Sequence, residues 1–280
     1  MEGFVGRSQT DLEKLEMELL LEAIYRKSGF DFRGYAPAGL KRRLLRKVGD
    51  EGLKSLSGLQ ELVLHDPAAL ERLLVDLAVN VTSMFRDPHF FRAFRDKAIP
   101  LLRTYPFVRL WHAGCSTGEE VFSMAILLKE EGLYDRARIY ATDMNDSVVE
   151  RAESATMPLS KMKDYTQNYI KAGGKRSFSD YYTVDGRVAR FSRELMKNMV
   201  FAQHNLVSDR SFNEFNVIMC RNVMIYFGRD LQSQVHSLLY DSLGMFGVLA
   251  LGHKESMRFT DHATRYEEID HEQKLYKKVA

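Results

Sequence analysis

Cysteine is nearly absent from this sequence: Cys115 and Cys220 are the only two in 280 residues. That excludes a disulfide framework and a thiolate metal site, and it fits a reducing cytoplasm. An excess of one charge is lacking too. The net charge is +2, so no global field selects nucleic acid or a membrane surface. No apolar run approaches the roughly eighteen residues of a membrane span, and the opening "MEGFVGRSQTDLEKLE" is not a signal peptide. There is no G-x-G-x-x-G and no Walker lysine, so neither usual phosphate cradle is available.

What is present has two textures. Residues 10–80 read as helices only. Thr10 with Glu13 makes a capping box, Leu12, Leu15, Leu19 and Ala23 recur at helical spacing, and Gly29 ends the run. Leu40, Leu44 and Val48 share one face of a second helix, and Asp66 before Pro67 starts another. A further helix, capped by Asp87 and Pro88, runs to about Tyr105. From Val108 short apolar strands alternate with helices, which implies a parallel sheet covered on both faces. The tail "EEIDHEQKLYKKV" offers one more, antiparallel strand, and glycine turns between Pro158 and about Val200 mark an inserted β element. The expected fold is α/β: a Rossmann-like domain at 108–280 with a small antiparallel β-subdomain inserted at 158–200. An all-α domain at 1–86 and a linker helix at 87–107 precede it.

Within "LWHAGCSTGEEVF" an apolar strand ends in Gly114, a small-residue turn follows, and Glu119 and Glu120 open a helix. Gly114 and Gly118 are the only glycines of this turn, so it suits a nucleoside without a pyrophosphate grip. "RIYATD" then ends the next strand in Asp143, where a carboxylate can take ribose hydroxyls; the alternative is an ordinary helix N-cap. A glycine turn with an acidic strand end points to S-adenosylmethionine. The chain has neither the Pro-Pro turn of amine-methylating enzymes nor the Pro-Cys nucleophile of cytosine C5 enzymes. Cys220 reads as a small core residue.

"NVTSMFRD" (80–87), "AGCSTGEE" (113–120), "ATD" (141–143), "HNL" (204–206) and "CRNVMIYF" (220–227) occur in order. Together they resemble the chemotaxis receptor methyltransferases, the CheR family, over nearly the whole chain. The resemblance implies methyl transfer from S-adenosylmethionine to glutamate side chains on receptor helices, with S-adenosylhomocysteine as product and no metal. It implies that Asn80, Thr82 and Arg86 bind the cofactor, with the guanidinium suited to its carboxylate. Gly114 and Glu120 would face the cofactor, Asp143 would bind ribose, Asn205 and Leu206 would line the adenine, and Arg221 and Asn222 would border the site. Tyr226, with Arg86, is the catalytic candidate, its hydroxyl orienting the incoming carboxylate; a core aromatic is its other reading. Two positions depart from the family pattern. Met84 stands where an aromatic is frequent, and Val121-Phe122-Ser123 replaces Pro-Tyr-Ser.

The basic stretch Lys41, Arg42, Arg43, Arg46 and Lys47 resembles the helix that meets acidic receptor bundles; a solvated face is the alternative. The expected partners are the cytoplasmic helices of methyl-accepting chemoreceptors, met by a cytoplasmic monomer, with no nucleic acid and no membrane insertion. Two other functions are open to the sequence: a non-catalytic S-adenosylmethionine-binding regulator, and an RNA methyltransferase, disfavoured by the near-neutral charge.

Overall fold

The computed structural model describes residues 9–78, 80–258 and 260–280. The chain divides into two compact units, Met1–Val79 with Tyr226–Leu231 and Asn80–Ile225 with Gln232–Ala280. Among the described residues no helix is long and apolar enough to cross a membrane.

The smaller unit holds α1 (Gln9–Ser28), α2 (Pro37–Asp50), α3 (Leu56–His65) and α4 (Pro67–Leu77). Leu40, Leu44 and Val48 are buried together on α2, as their spacing requires. The Asp66 side chain accepts from the Ala68 N–H and Pro67 takes the first turn of α4, where its missing N–H costs nothing. Gly29, at φ +78°, ends α1 with its N–H on the Tyr25 carbonyl. Two expectations need correction. Helix α1 already includes Gln9, so Thr10 lies inside it and not before it. Its buried stripe is Leu20, Leu21 and Ile24, while Leu12 and Leu19 are 46% and 50% exposed. "MELLLEAI" offers leucines on adjoining faces, and packing chose between them.

Residues 226–231 complete this unit from far along the chain. Tyr35 and Phe227 form an antiparallel bridge, the Ala36 N–H donates to the Tyr226 carbonyl at 2.9 Å, and the Gly228 N–H to the Gly34 carbonyl at 2.7 Å. A Cβ on Gly228 would stand 2.9 Å from the Gly34 oxygen, so this crossing admits no side chain there. The Tyr35 ring meets Phe32 and Phe227 edge-on, each at 5.0 Å.

The larger unit opens with α5 (Pro88–Ala93), a π turn at Phe94–Ala98 and α6 (Ile99–Leu102). The helix expected from Asp87 to Tyr105 is therefore irregular. Pro100 brings no N–H to the ladder, and the preceding turn widens so that the Ile99 N–H reaches the Phe94 carbonyl. Phe90, Phe91 and Phe94 are fully buried in the core of this unit. Next come β1 (Val108–Ala113), α7 (Glu119–Glu130), β2 (Ala137–Asp143), α8 (Asp146–Glu153), β3 (Thr156–Pro158) and α9 (Met162–Lys171). They are followed by β4 (Tyr182–Asp185), β5 (Val188–Phe191), α10 (Arg193–Met196), β6 (Met199–Gln203) and β7 (Phe215–Cys220). The chain ends with α11 (Arg229–Ser242), β8 (Leu243–Leu251), β9 (Tyr266–Asp270) and β10 (Leu275–Lys278).

Seven strands form the main sheet in the order β6-β2-β1-β7-β8-β10-β9. The first five are parallel, and β10 runs antiparallel between β8 and β9. The tail thus supplies two strands, not one, and β6, which straddles the expected end of the insert at about Val200, is an edge strand of the main sheet. The chain leaves β1 to one side for β2 and to the other for β7, so the carboxyl ends of these three strands border a crevice. The insert is a separate antiparallel sheet, β3-β5-β4, with α9 beside it. Glu130, at the end of α7, anchors it: the enclosed carboxylate accepts from Arg95, from the hydroxyls of Tyr169 and Tyr181, and from the Lys175 N–H.

Candidate active site

The turn after β1 is shaped by two glycines for steric reasons. Gly114 has φ +84°, and a Cβ on it would stand 2.6 Å from Cγ2 of Val223. Gly118, at φ +91°, starts α7, and its Cβ would stand 2.9 Å from that of Ala152. The Gly114 and Cys115 N–H groups both donate to the Thr142 carbonyl at the end of β2, at 2.9 and 2.8 Å. That pulls the turn towards Asp143.

Asp143 is buried, and its carboxylate accepts from the Ser116 N–H at 2.9 Å and the Asn145 N–H at 3.2 Å. Burial raises its pKa, and the backbone donors oppose that rise. The N-cap of α8 is Asn145, which accepts from the Ser147 N–H, so Asp143 does not cap that helix. On the other side of β2, the His204 N–H donates to the Asp143 carbonyl at 3.0 Å. This brings the turn holding Asn205 and Leu206 beside the same strand end. There the Asn205 side chain accepts from the Val207 N–H and closes its own turn.

From β7, Arg221 donates to Glu120 at 2.6 Å and to Asp87 at 2.9 Å, with its guanidinium 3.8 Å above the Phe90 ring. His112 Nδ1 lies 3.2 Å from the other Glu120 oxygen. Burial pushes the Glu120 carboxyl up, but Arg221 and His112 outweigh it and hold it down at about 2. Asp87 was expected to cap a helix. It takes a left-handed φ of +57°, makes no cap, and turns its carboxylate to Arg221 instead. Nothing in a DP pair distinguishes an N-cap from an ion-pair partner.

The segment 80–87 is pinned by its middle. Met84 and Phe85 are fully buried, and the Phe85 N–H donates to Ser123 Oγ at 2.8 Å. Both departures from the family pattern, at Met84 and at Val121-Phe122-Ser123, therefore fall in or against the core. Arg86, half-buried, donates to the Val81 carbonyl at 3.0 Å, and Asn80 and Thr82 are half-buried on the same segment. Asn222, at φ +61°, follows Arg221. Gly114, Glu120, Asp143, Arg221 and Asn222 thus stand at the carboxyl ends of three neighbouring strands.

Tyr226 and the five basic residues belong to the smaller unit. The basic residues do not form one exposed face. Only Arg42 and Arg46 are exposed; Lys41 pairs with Glu13 at 2.5 Å, and Lys47 is buried against Asp76 at 2.9 Å and Glu51 at 3.3 Å. Arg43 is buried 5.3 Å from the Tyr226 ring centroid, and burial lowers its pKa. A stripe of charges on an amphipathic helix cannot all face water when Leu40, Leu44 and Val48 set the buried side.

Sequence reasoning passes over Ser116, His112 and Glu255, and reads Asp87 only as a helix cap. Glu255 is buried and accepts from the N–H groups of Gly252, Asn222, Val223 and Met224 at 2.6 to 2.9 Å. The residues present fit an adenosyl group. The turn admits no Cβ at two positions, an acidic strand end faces it, and Ser116 Oγ is buried without a partner. Sheet, crevice and donor set fit a methyltransferase that uses S-adenosylmethionine.

The comparisons with known proteins name the family. Residues 80–274 match the family model "CheR methyltransferase, SAM binding domain", and residues 15–78 match "CheR methyltransferase, all-alpha domain". The chain is 46% identical over 264 residues to "Putative methyltransferase Cher3" of Pseudomonas putida, covering 94% of this chain and 97% of that one. It is 28% identical to chemotaxis protein methyltransferase 2 of Pseudomonas aeruginosa, over 93% of each chain. It is also 28% identical to the chemotaxis protein methyltransferase of Escherichia coli, over 84% of this chain and 82% of that one. The chain belongs to the CheR methyltransferase family.

Proposed function

We propose that this methyltransferase esterifies glutamate side chains on the cytoplasmic helices of chemoreceptor-type signalling proteins, acting as a cytoplasmic monomer. The observation that carries the reading is the match to both parts of the family, the helical and the cofactor-binding, in relatives named for chemotaxis. Bound S-adenosylmethionine supplies a methyl group on a positively charged sulfur. An exposed glutamate, with a pKa of about 4.3, is already ionised at neutral pH, so no general base is required. What remains is positioning and the exclusion of water.

Each residue then has a share. Arg86 takes the cofactor's carboxylate, with Asn80 and Thr82 on the same segment. Asp143 receives the ribose hydroxyls, and Asn205 and Leu206 line the base. Arg221 arrives already paired with two carboxylates, Glu120 and Asp87, so this part of the site holds no free cation. Tyr226 orients the acceptor carboxylate, and exposed Arg42 and Arg46 meet the acidic receptor surface.

The test is co-expression with candidate receptors, followed by mass spectrometry of their helices. Glutamates heavier by one methylene, lost on alkaline treatment, are the expected result. Cofactor binding with every receptor left unmodified would leave the regulatory alternative.

A further inference from the structure

The loop after β7 carries Arg221 and Asn222; Asn222 and Val223 lie in no helix or strand, and Met224 opens a short 3-10 turn, Met224–Tyr226. The three consecutive N–H groups of residues 222–224 converge on one side chain. Glu255 Oε2 accepts from Asn222 at 2.9 Å and from Gly252 at 2.6 Å, and Oε1 accepts from Val223 and Met224, each at 2.8 Å. The carboxylate is buried with four donors, a set that offsets part of the loss of water around an anion. The chain has made room for it. A Cβ on Gly252 would stand 2.7 Å from Oε2 and 2.8 Å from the Asn222 nitrogen. Asn222 takes φ +61°, in the left-handed region that asparagine enters more readily than most non-glycine residues. The next residue, Val223, packs directly over Gly114 in the cofactor turn.

We propose that Glu255 is a positioning residue for methyl transfer: its carboxylate sets the 222–224 loop, and through Val223 and Asn222 the loop sets the cofactor turn at Gly114. The proposal rests on the methyltransferase reading above. All four of these hydrogen bonds to the Glu255 carboxylate come from backbone N–H groups.

Glu255→Gln replaces one acceptor oxygen with an N–H₂ that faces backbone donors, while Glu255→Asp keeps the charge on a shorter stem. Three measurements go together: thermal unfolding, amide hydrogen exchange at 222–224, and calorimetric binding of S-adenosylhomocysteine. Expected for folded Glu255→Gln are fast exchange at Asn222, Val223 and Met224 and affinity weakened about tenfold or more, with Glu255→Asp recovering part of both. A purely structural role would lower the unfolding temperature and leave the affinity of the folded protein unchanged, and that result overturns the proposal. If neither variant folds, the wild type decides. Joint protection of the amides of Gly252, Asn222, Val223 and Met224, deepened by S-adenosylhomocysteine, supports the brace; exchange at the rate of an open loop sinks it. Wild-type protein that binds no S-adenosylhomocysteine sinks the methyltransferase reading and the brace with it. Wild-type binding with an unaffected variant sinks the brace alone.

Discussion

Arg86 and Glu120 are both charged, and their surroundings give them opposite uses. Arg86 is half-buried on an irregular segment with one backbone partner, the Val81 carbonyl. Arg86→Ala should weaken S-adenosylmethionine by about 1.5–3 kcal/mol, the range for a hydrogen bond to a charged group, and calorimetry reads it directly. Glu120 is committed to protein partners. Its folded pKa, about 2, lies below the ordinary value of 4.5, so its contribution is complete above about pH 4.5 and is lost as pH falls towards 2. His236 adds an earlier step. Burial, aided by His262, lowers it from 6.5 to about 4, so the unfolded chain takes this proton first and stability declines across that interval. Acid unfolding of the wild type should show both components, and Glu120→Gln should lack the lower one. The partners that set Glu120 were not legible in the sequence. Arg221 lies 101 residues away, and only the pairing of β1 with β7 brings the two helix and strand ends together.

At the scale of the element, the turn after β1 separates two costs that a glycine substitution can carry. Gly114 and Gly132 both have positive φ, but a Cβ at Gly114 would meet Val223 at 2.6 Å, whereas at Gly132 nothing lies within 4 Å. Gly132→Ala should cost only the backbone conformation, about 1–2 kcal/mol. Gly114→Ala should cost more and should also weaken cofactor binding, because the turn or Val223 has to move. Thermal unfolding beside calorimetry distinguishes the two. This turn was readable because strand, glycine and helix-opening glutamates follow one another in sequence. Other elements were not. On α1 three consecutive leucines left the buried stripe undetermined until the packing partners existed. Strand β6 is only five residues long and has no apolar alternation, with two of them exposed, so it is a strand because β2 lies beside it.

For the whole molecule, the question is how charge serves recognition without serving the fold. Of the basic residues on α2, Arg42 and Arg46 face solvent, while Lys47 is tied to Asp76 and Glu51 and Arg43 lies against Tyr226. Reversing Arg42 and Arg46 to Glu should raise the receptor KM and leave cofactor affinity alone. Because exposed charges are screened within about 8 Å at physiological salt, the wild-type rate should fall as salt rises and the variant's should not. Reversing Arg43 or Lys47 should instead lower the unfolding temperature, since each would place an unpaired charge in a buried position. Equal methylation by wild type and the exposed double reversal at low salt would return α2 to an ordinary solvated helix.

The bridge between Tyr35 and Phe227 also gives the polypeptide a timetable. A ribosome delivers α1 to α4 early, but the strip that completes their unit is encoded beyond most of the sheet-forming sequence. The helices can collapse on emerging, yet the backbone bonds from Ala36 to Tyr226 and from Gly228 to Gly34 wait until residue 228 has been synthesised. A nascent chain stopped before that point carries a helical unit short of its last contacts, so protease resistance of the amino-terminal segment should rise in a second step as translation passes this strip.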